Sequence, residues 1–169
     1  MASKTASALR AKTDAAWANL NRQLQGMEPH LERSDAAGEW TTREVLSHLL
    51  FPPGWDPEPT LRSFDARTLP VVEIEPSKTH LSEDRKRMSL KQLLDALDEQ
   101  RRRVYGYVDT LSDADLEGRK ARIPLFKQFM GTDEIPLAQF VGAMFNYHWN
   151  DHAGQLAKIR KATGLPDAA

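Results

Sequence analysis

Two histidines near the carboxyl end have the spacing of a pair of metal ligands. His148 and His152 are four residues apart in a segment with helical periodicity, so both imidazoles lie on one face of the predicted helix. Their neighbours on that face are apolar, whereas histidines on a solvated face are expected among charges: Val141, Met144 and Leu156. Two imidazoles supply only two ligands, and partly buried core histidines held by hydrogen bonds explain the same spacing.

A third histidine, His48, lies in an earlier predicted helix in similar surroundings. Glu44 and Val45 precede it and Phe51 follows it at helical spacing. Three histidines from two helices could meet in the interior of a bundle. Three imidazoles with open coordination positions suit a divalent transition ion that acts on water or on a substrate atom. The residues alone leave both interpretations open, a metal site and three separate core histidines.

The composition limits the other chemistry available to the chain. It has 169 residues and no cysteine, which excludes disulfides, thiolate-bound zinc, iron–sulfur clusters and a cysteine nucleophile. A metal must therefore bind histidines or carboxylates, and thiol chemistry needs a separate thiol molecule. The length and the 40% hydrophobic content predict one globular domain over residues 1–169, with enough apolar material for a core.

Charge and hydropathy argue against nucleic-acid and membrane partners. The 23 Lys and Arg residues are balanced by 24 Asp and Glu residues, so the chain as a whole does not attract phosphates or anionic lipid. Three basic clusters have acidic neighbours and are typical of solvated helix faces: residues 85–87, 101–103 and 119–122. No run of about 18 apolar residues and no secretory signal is present, so we expect a cytoplasmic protein.

Four long amphipathic helices must position the histidines. The first has an apolar stripe that only Thr13 interrupts. The second and third follow capping boxes, Thr41 with Glu44 and Ser89 with Gln92, in which each side chain can satisfy a free backbone donor. The helices are predicted over residues 3–27, 42–50, 90–110 and 136–162. This pattern predicts an all-α four-helix bundle.

A long connection over residues 52–88 joins the second and third helices. It carries six of the ten prolines and allows only short pieces, a helical turn at 60–65 or a strand at 71–74. Connections this long are uncommon unless they cover a site. Side chains here and before the fourth helix could roof the site or plug the open end of the bundle: Trp55, Phe64, His80, Phe126, Phe129 and Met130. His30 and His80 match no motif, and we expect both at the surface.

Two stretches of the chain resemble the DinB/YfiT-like superfamily. The segment GEWTTREVLSHL, which ends at Leu49, resembles its second-helix signature, and HWNDHAGQL, which begins at His148, resembles its last-helix signature. The helix order and the distance between the signatures agree over almost the whole chain. The resemblance implies a bacterial protein with an up-down-down-up bundle, often dimeric, in which His48, His148 and His152 are the metal ligands. The expected partner is therefore a second copy of the chain.

The resemblance also implies an activity. Characterised relatives use the metal to activate a low-molecular-weight thiol, so we expect a metal-dependent S-transferase or a thiol-dependent isomerase acting on a small molecule. A bound cation stabilises the thiolate, which is the nucleophilic form. We expect zinc or nickel, while iron, cobalt, manganese and copper also suit three imidazoles.

Two other functions remain open at this point. A metal-dependent hydrolase would need a nearby carboxylate as base, and Glu44 is the obvious candidate, although the capping box already gives it a structural role. A non-enzymatic interaction protein would hold a structural or vestigial metal. Asp151 is turned to one side of the face that the two helical histidines share, toward solvent or a partner. Tyr147 and Trp149 are turned away from that face, toward a neighbouring helix or a dimer interface.

Overall fold

The structure is a computed structural model that describes residues 1–169. Its elements, in chain order, are α1 (Lys4–Leu24), α2 (Thr42–Leu49), α3 (Pro57–Ser63), α4 (Glu83–Arg87), α5 (Leu90–Val108), α6 (Asp113–Gly118), β1 (Lys120–Arg122), α7 (Lys127–Met130), β2 (Glu134–Pro136), α8 (Leu137–Gly142) and α9 (His148–Ala162). Two 3-10 turns lie at Glu28–His30 and Pro124–Phe126, and a π-helical turn over Ala143–Tyr147 joins α8 to α9. The four main helices are α1, α2, α5 and the continuous α8–α9 unit. The predicted all-α four-helix bundle is therefore confirmed.

The main helices begin where their capping residues lie. The Thr41 hydroxyl accepts a hydrogen bond from the Glu44 N–H, and the Glu44 carboxylate accepts one from the Thr41 N–H at 2.8 Å. Ser89 and Gln92 form the same reciprocal pair before α5. Each capping box satisfies two backbone donors that a helix start leaves free. Both predicted capping boxes are confirmed.

The core lies where α1 packs along α8 and α9, and α2 packs on α5 and α9. Trp149 of α9 is fully buried between Trp17 of α1 and Phe145, with ring centroids 5.6 and 5.0 Å away. Trp149 is therefore turned toward a neighbouring helix, as expected, and it holds α9 in one rotation about its axis. That rotation leaves the face with His148 and His152 toward α2.

Four local features differ from the sequence predictions. The 52–88 connection contains α3 and α4, and instead of a strand at 71–74 it has a single bridge from Val71 to Arg122. The segment before the fourth helix forms an antiparallel pair of strands, with Ala121 opposite Ile135. The last helix is interrupted by the π-helical turn. Thr13 does not interrupt the buried stripe of α1, because it is itself fully buried and lies 2.7 Å from the Tyr105 hydroxyl.

None of the helices combines the length and the apolar character that crossing a membrane requires.

Candidate metal centre

The three predicted ligands come together at the contact between α2 and α9. His48 lies in the last turn of α2, while His148 and His152 lie in the first two turns of α9. Each offers one ring nitrogen, and these nitrogens lie within 4.8 Å of one another. The Nε2 atoms of His48 and His148 are 2.8 Å apart. His48 lies 100 positions before His148 in the sequence, and the fold places it in one cluster with the two histidines of α9.

Hydrogen bonds at the far side of each ring orient the histidines. Nδ1 of His48 donates to the Lys78 carbonyl at 2.6 Å, and Nδ1 of His152 donates to Oε1 of Gln155 at 2.7 Å. The backbone of Met144, one turn earlier, opposes the lowering of the His148 pKa by burial. A neutral imidazole that donates from Nδ1 carries no hydrogen on Nε2, so the Nε2 atoms of His48 and His152 are free to act as ligands, and His148 presents its Nε2 to His48.

This arrangement of donor atoms fits a divalent transition ion. The Nε2 atom of His48 has a lone pair that faces Nε2 of His148 at 2.8 Å, and a cation can replace a hydrogen shared between the two rings. Neutral imidazoles held by carbonyl acceptors are the usual form of histidine ligands. Three such nitrogens suit zinc, nickel and related ions.

Burial keeps His48 and His148 in the neutral form that binds a metal. Removal from water lowers the pKa of His148 to about 3, with smaller contributions from His152 and His48. The pKa of His48 is also lowered, again mainly by burial, although the bond to the Lys78 carbonyl opposes the shift. At neutral pH an incoming ion therefore displaces no proton from these two rings.

A polar cavity of about 370 Å³ opens beside the cluster. Trp40, just before the cap of α2, forms one wall: its ring centroid is 4.9 Å from that of His48 and 6.3 Å from that of His152. The cavity is lined by Glu39, Trp40, His48, Ser77, Asp151, His152 and Gln155. A neighbouring cavity of about 420 Å³ shares three of these residues and adds Asp35, Gly154 and Lys158. The accessible side of the cluster therefore faces a hydrophilic space in which carboxylates outnumber cations.

The predicted base, Glu44, keeps its structural role, because its carboxylate is engaged by the Thr41 N–H in the capping box. It does not line the cavity. Asp151 is exposed, as expected, and lies at the edge of the cavity. Tyr147, the last residue of the π-helical turn, is 67% exposed. The carboxylates available to chemistry are therefore Glu39 and Asp151.

The residues that could roof the site or plug the end of the bundle do not line the cavity. Phe64 and Phe126 pack against Phe140 in the core, and Trp55 packs on Phe51. Phe129 and Met130 are exposed, and none of these side chains lines the cavity. His30 and His80 are half-buried rather than fully at the surface, and burial together with the nearby Arg85 lowers the pKa of His80. The long connection does reach the site, but through Ser77 and the Lys78 carbonyl.

Sequence reasoning missed several residues at the site. Ser77, the Lys78 carbonyl and Arg85 belong to the connection, where no periodic pattern indicates which backbone atom meets which helix. Trp40 and Glu39 lie in the second-helix motif, so a motif signal was present without an assigned role. Gln155 lies on the predicted apolar stripe, and its position three residues after His152 was the signal for a hydrogen-bond partner.

The basic clusters are mostly neutralised by ion pairs. Arg101 pairs with Asp98 at 2.7 Å and with Asp14, and Arg103 pairs with Asp56 at 2.7 Å. Arg119 pairs with Asp115 at 2.8 Å. Most of these arginines therefore have acidic partners within the chain. Arg85 is half-buried, and its guanidinium donates to backbone carbonyls rather than to a carboxylate.

A helical bundle with a three-histidine cluster between its second and last helices defines a class of protein, and sequence comparison names the family. The chain belongs to the DinB superfamily, because the model of that family matches residues 6–156. An uncharacterised protein from Escherichia coli UTI89 has a similar structure, with a TM-score of 0.62, 14% identity and 98% coverage of both chains.

YfiT from Bacillus subtilis, described as a probable metal-dependent hydrolase with an unusual four-helix bundle topology, is also similar. Its TM-score is 0.58 with 19% identity, over 94% of this chain and 89% of YfiT. Both likenesses concern the fold. Comparison with curated proteins finds no match.

Proposed function

We propose that His48, His148 and His152 bind a divalent transition ion, and that the protein is a metal-dependent hydrolase of a small polar molecule. One observation carries the proposal: ring nitrogens of all three histidines converge within 4.8 Å of one another beside a polar cavity. Nδ1 of His48 and Nδ1 of His152 each donate to a protein oxygen, which leaves their Nε2 lone pairs available to a ligand.

The residues around the cluster can be assigned separate roles in hydrolysis. Three protein ligands leave coordination positions open, and an ion bound there supplies Lewis acidity that activates water at neutral pH. Glu39 and Asp151 line the space beside the histidines and can accept a proton from a nucleophile or hold it by a hydrogen bond. Ser77 and Gln155 offer polar atoms that orient a substrate, and Trp40 keeps water from one side.

One similar structure supports hydrolysis over the alternatives. YfiT is described as a probable metal-dependent hydrolase, and this chain shares its fold over most of both chains. The cavity supplies carboxylates that hydrolysis can use. A purely structural metal would be enclosed by protein, whereas this cluster has an accessible side.

Thiol transfer is the second candidate, and the cysteine-free composition favours it. The chain contains no thiol of its own, and a polar cavity beside a cation suits a hydrophilic thiol molecule. The two activities separate in one assay. A hydrolase cleaves ester or amide substrates without added thiol, while a transferase consumes an electrophile only with bacillithiol, mycothiol or glutathione present.

The first experiment is metal analysis of protein purified without a histidine tag. We expect near-stoichiometric metal, either zinc or nickel, in the wild type. The same content is expected in His30→Ala, a control that removes a histidine outside the cluster. His48→Ala and His152→Ala lose the metal while circular dichroism shows an unchanged helix content. A wild type that stays metal-free after incubation with zinc and with nickel would contradict the proposal.

Three earlier expectations remain proposals. We propose a homodimer, a cytoplasmic location and no nucleic-acid partner. Sedimentation of the purified protein tests the first, and a dimer interface that includes the exposed Tyr147 is weakened by Tyr147→Ala. A DNA affinity that falls steeply with salt would contradict the third.

A further inference from the structure

Arg85 of α4 binds two parts of the chain that meet at the site. Its Nη1 donates to the Ser47 carbonyl at 3.0 Å and to the His80 carbonyl at 3.2 Å, and its Nη2 donates to the Phe51 carbonyl. Ser47 and Phe51 lie at the carboxyl end of α2, where the last helical carbonyls have no partner within the helix. One guanidinium therefore joins the end of α2 to the 77–80 segment.

The segment that Arg85 holds has an unfavourable backbone. Ser77 has φ +58° and His80 has φ +52°, in the left-handed region that residues with a Cβ avoid. Such conformations persist only where surrounding contacts hold them. The carbonyl that orients His48 belongs to Lys78, between these two residues.

Arg85 is itself held in place by a second arginine. Arg43 is only 8% exposed, and its Nη1 donates to the Arg85 carbonyl at 3.0 Å and to the Met88 carbonyl at 2.6 Å. Its Nε donates to Glu32 at 2.6 Å. Since Arg43 lies on α2, α4 is fixed to the helix that carries His48.

We propose that Arg85 is a positioning residue for the metal centre. It holds the 77–80 segment against α2, so that the Lys78 carbonyl accepts the Nδ1 hydrogen of His48 and Nε2 is left free for the ion. The inference rests on the proposed function, because it assigns Arg85 a role in metal affinity. Outer partners of histidine ligands typically change metal affinity by about 10- to 100-fold when they are lost.

The test compares arginines from one basic cluster. Calorimetry measures zinc affinity for Arg85→Ala, for Arg85→Lys, which keeps the charge but not the planar fork, and for Arg87→Ala, which removes an exposed neighbour. We expect zinc affinity to fall by about 10- to 100-fold in Arg85→Ala and by less in Arg85→Lys. Arg87→Ala should match the wild type.

A second measurement determines which nitrogen of the His48 ring carries the hydrogen in the metal-free protein. Nitrogen-15 spectra of the metal-free protein distinguish a hydrogen on Nδ1 from one on Nε2. We expect His48 to carry it on Nδ1 in the wild type and in Arg87→Ala, and to become a mixture in Arg85→Ala. His152 is the internal control, because its partner Gln155 lies on its own helix and its state should not change.

Either measurement can overturn the inference. Unchanged zinc affinity in a folded Arg85→Ala, or an equal loss in Arg87→Ala, contradicts it. If Arg85→Ala and Arg85→Lys both fail to fold, the wild-type spectrum decides, since a His48 hydrogen on Nε2 rules the positioning role out. If the wild type binds no zinc, the proposed function fails, while the metal-free spectra still show whether Arg85 orients His48.

Discussion

Two polar contacts in the bundle have nearly the same length and opposite meanings. Thr13 of α1 and Tyr105 of α5 place their hydroxyl oxygens 2.7 Å apart, and both residues are buried. His48 of α2 and His148 of α9 place their Nε2 atoms 2.8 Å apart. Either hydroxyl can donate, so the first contact is a complete hydrogen bond. His48 donates from Nδ1 to the Lys78 carbonyl, so its Nε2 has a lone pair and only His148 can supply a hydrogen to the second contact.

The comparison separates an internal structural bond from a binding site. A buried hydroxyl pair satisfies itself and gains nothing from a ligand. The histidine pair can exchange a shared hydrogen for a cation, and the accessible side of its cluster faces a cavity. Polar side chains inside a bundle therefore indicate a function only after the position of each hydrogen has been worked out.

The largest expected effect is stabilisation by metal at the histidine site alone. Zinc at about 1,000 times its Kd adds about 4 kcal/mol to the free energy of unfolding. For a chain of this size that raises Tm by roughly 8–16 °C. Thermal denaturation with and without zinc should show this rise in the wild type and in Tyr105→Phe. His148→Ala should show none, and an equal rise in that variant would place the ion elsewhere.

The second effect is alkaline destabilisation through Tyr105. Burial raises its pKa from 10.0 to about 12, although the Thr13 bond opposes the shift. Between pH 10 and 12 the unfolded phenol ionises while the folded phenol stays neutral, so the free energy of unfolding falls as pH rises. The loss is on the order of 2 kcal/mol. Denaturant titrations from pH 9 to 12 measure it against Tyr105→Phe, in which the fall should be shallower; identical slopes would contradict this assignment.

The smallest effect concerns the hydroxyl pair in a double-mutant cycle. Thr13→Val leaves the Tyr105 hydroxyl buried without a partner, at a cost of about 1–3 kcal/mol. Adding Tyr105→Phe removes that orphaned group, so the double variant should be less destabilised than the sum of the two single variants. Urea denaturation measures all four proteins, and zinc affinity should be unchanged throughout. A loss of zinc affinity would mean that the two regions are coupled.

The sequence determined those features that depend on residues close together in the chain. The capping boxes of α2 and α5, the stop at the prolines after α2 and the shared face of His148 and His152 follow from local hydrogen bonding and helical spacing. The bundle architecture follows from the apolar stripes. The helical surroundings of His48 indicated that it could meet the other two histidines, and the resemblance implied that all three are ligands.

The tertiary structure decided everything that depends on the path of the 52–88 connection. Arg85 and Arg87 lie two positions apart and look alike in the sequence, yet Arg85 is half-buried against three carbonyls and Arg87 is exposed. The Lys78 carbonyl belongs to the backbone, which every residue has, so no residue type marks its role. The π-helical turn before His148 likewise follows from no pattern that the sequence analysis used. Side-chain identity encodes local geometry, whereas contacts between distant backbone atoms form only when the whole chain has folded.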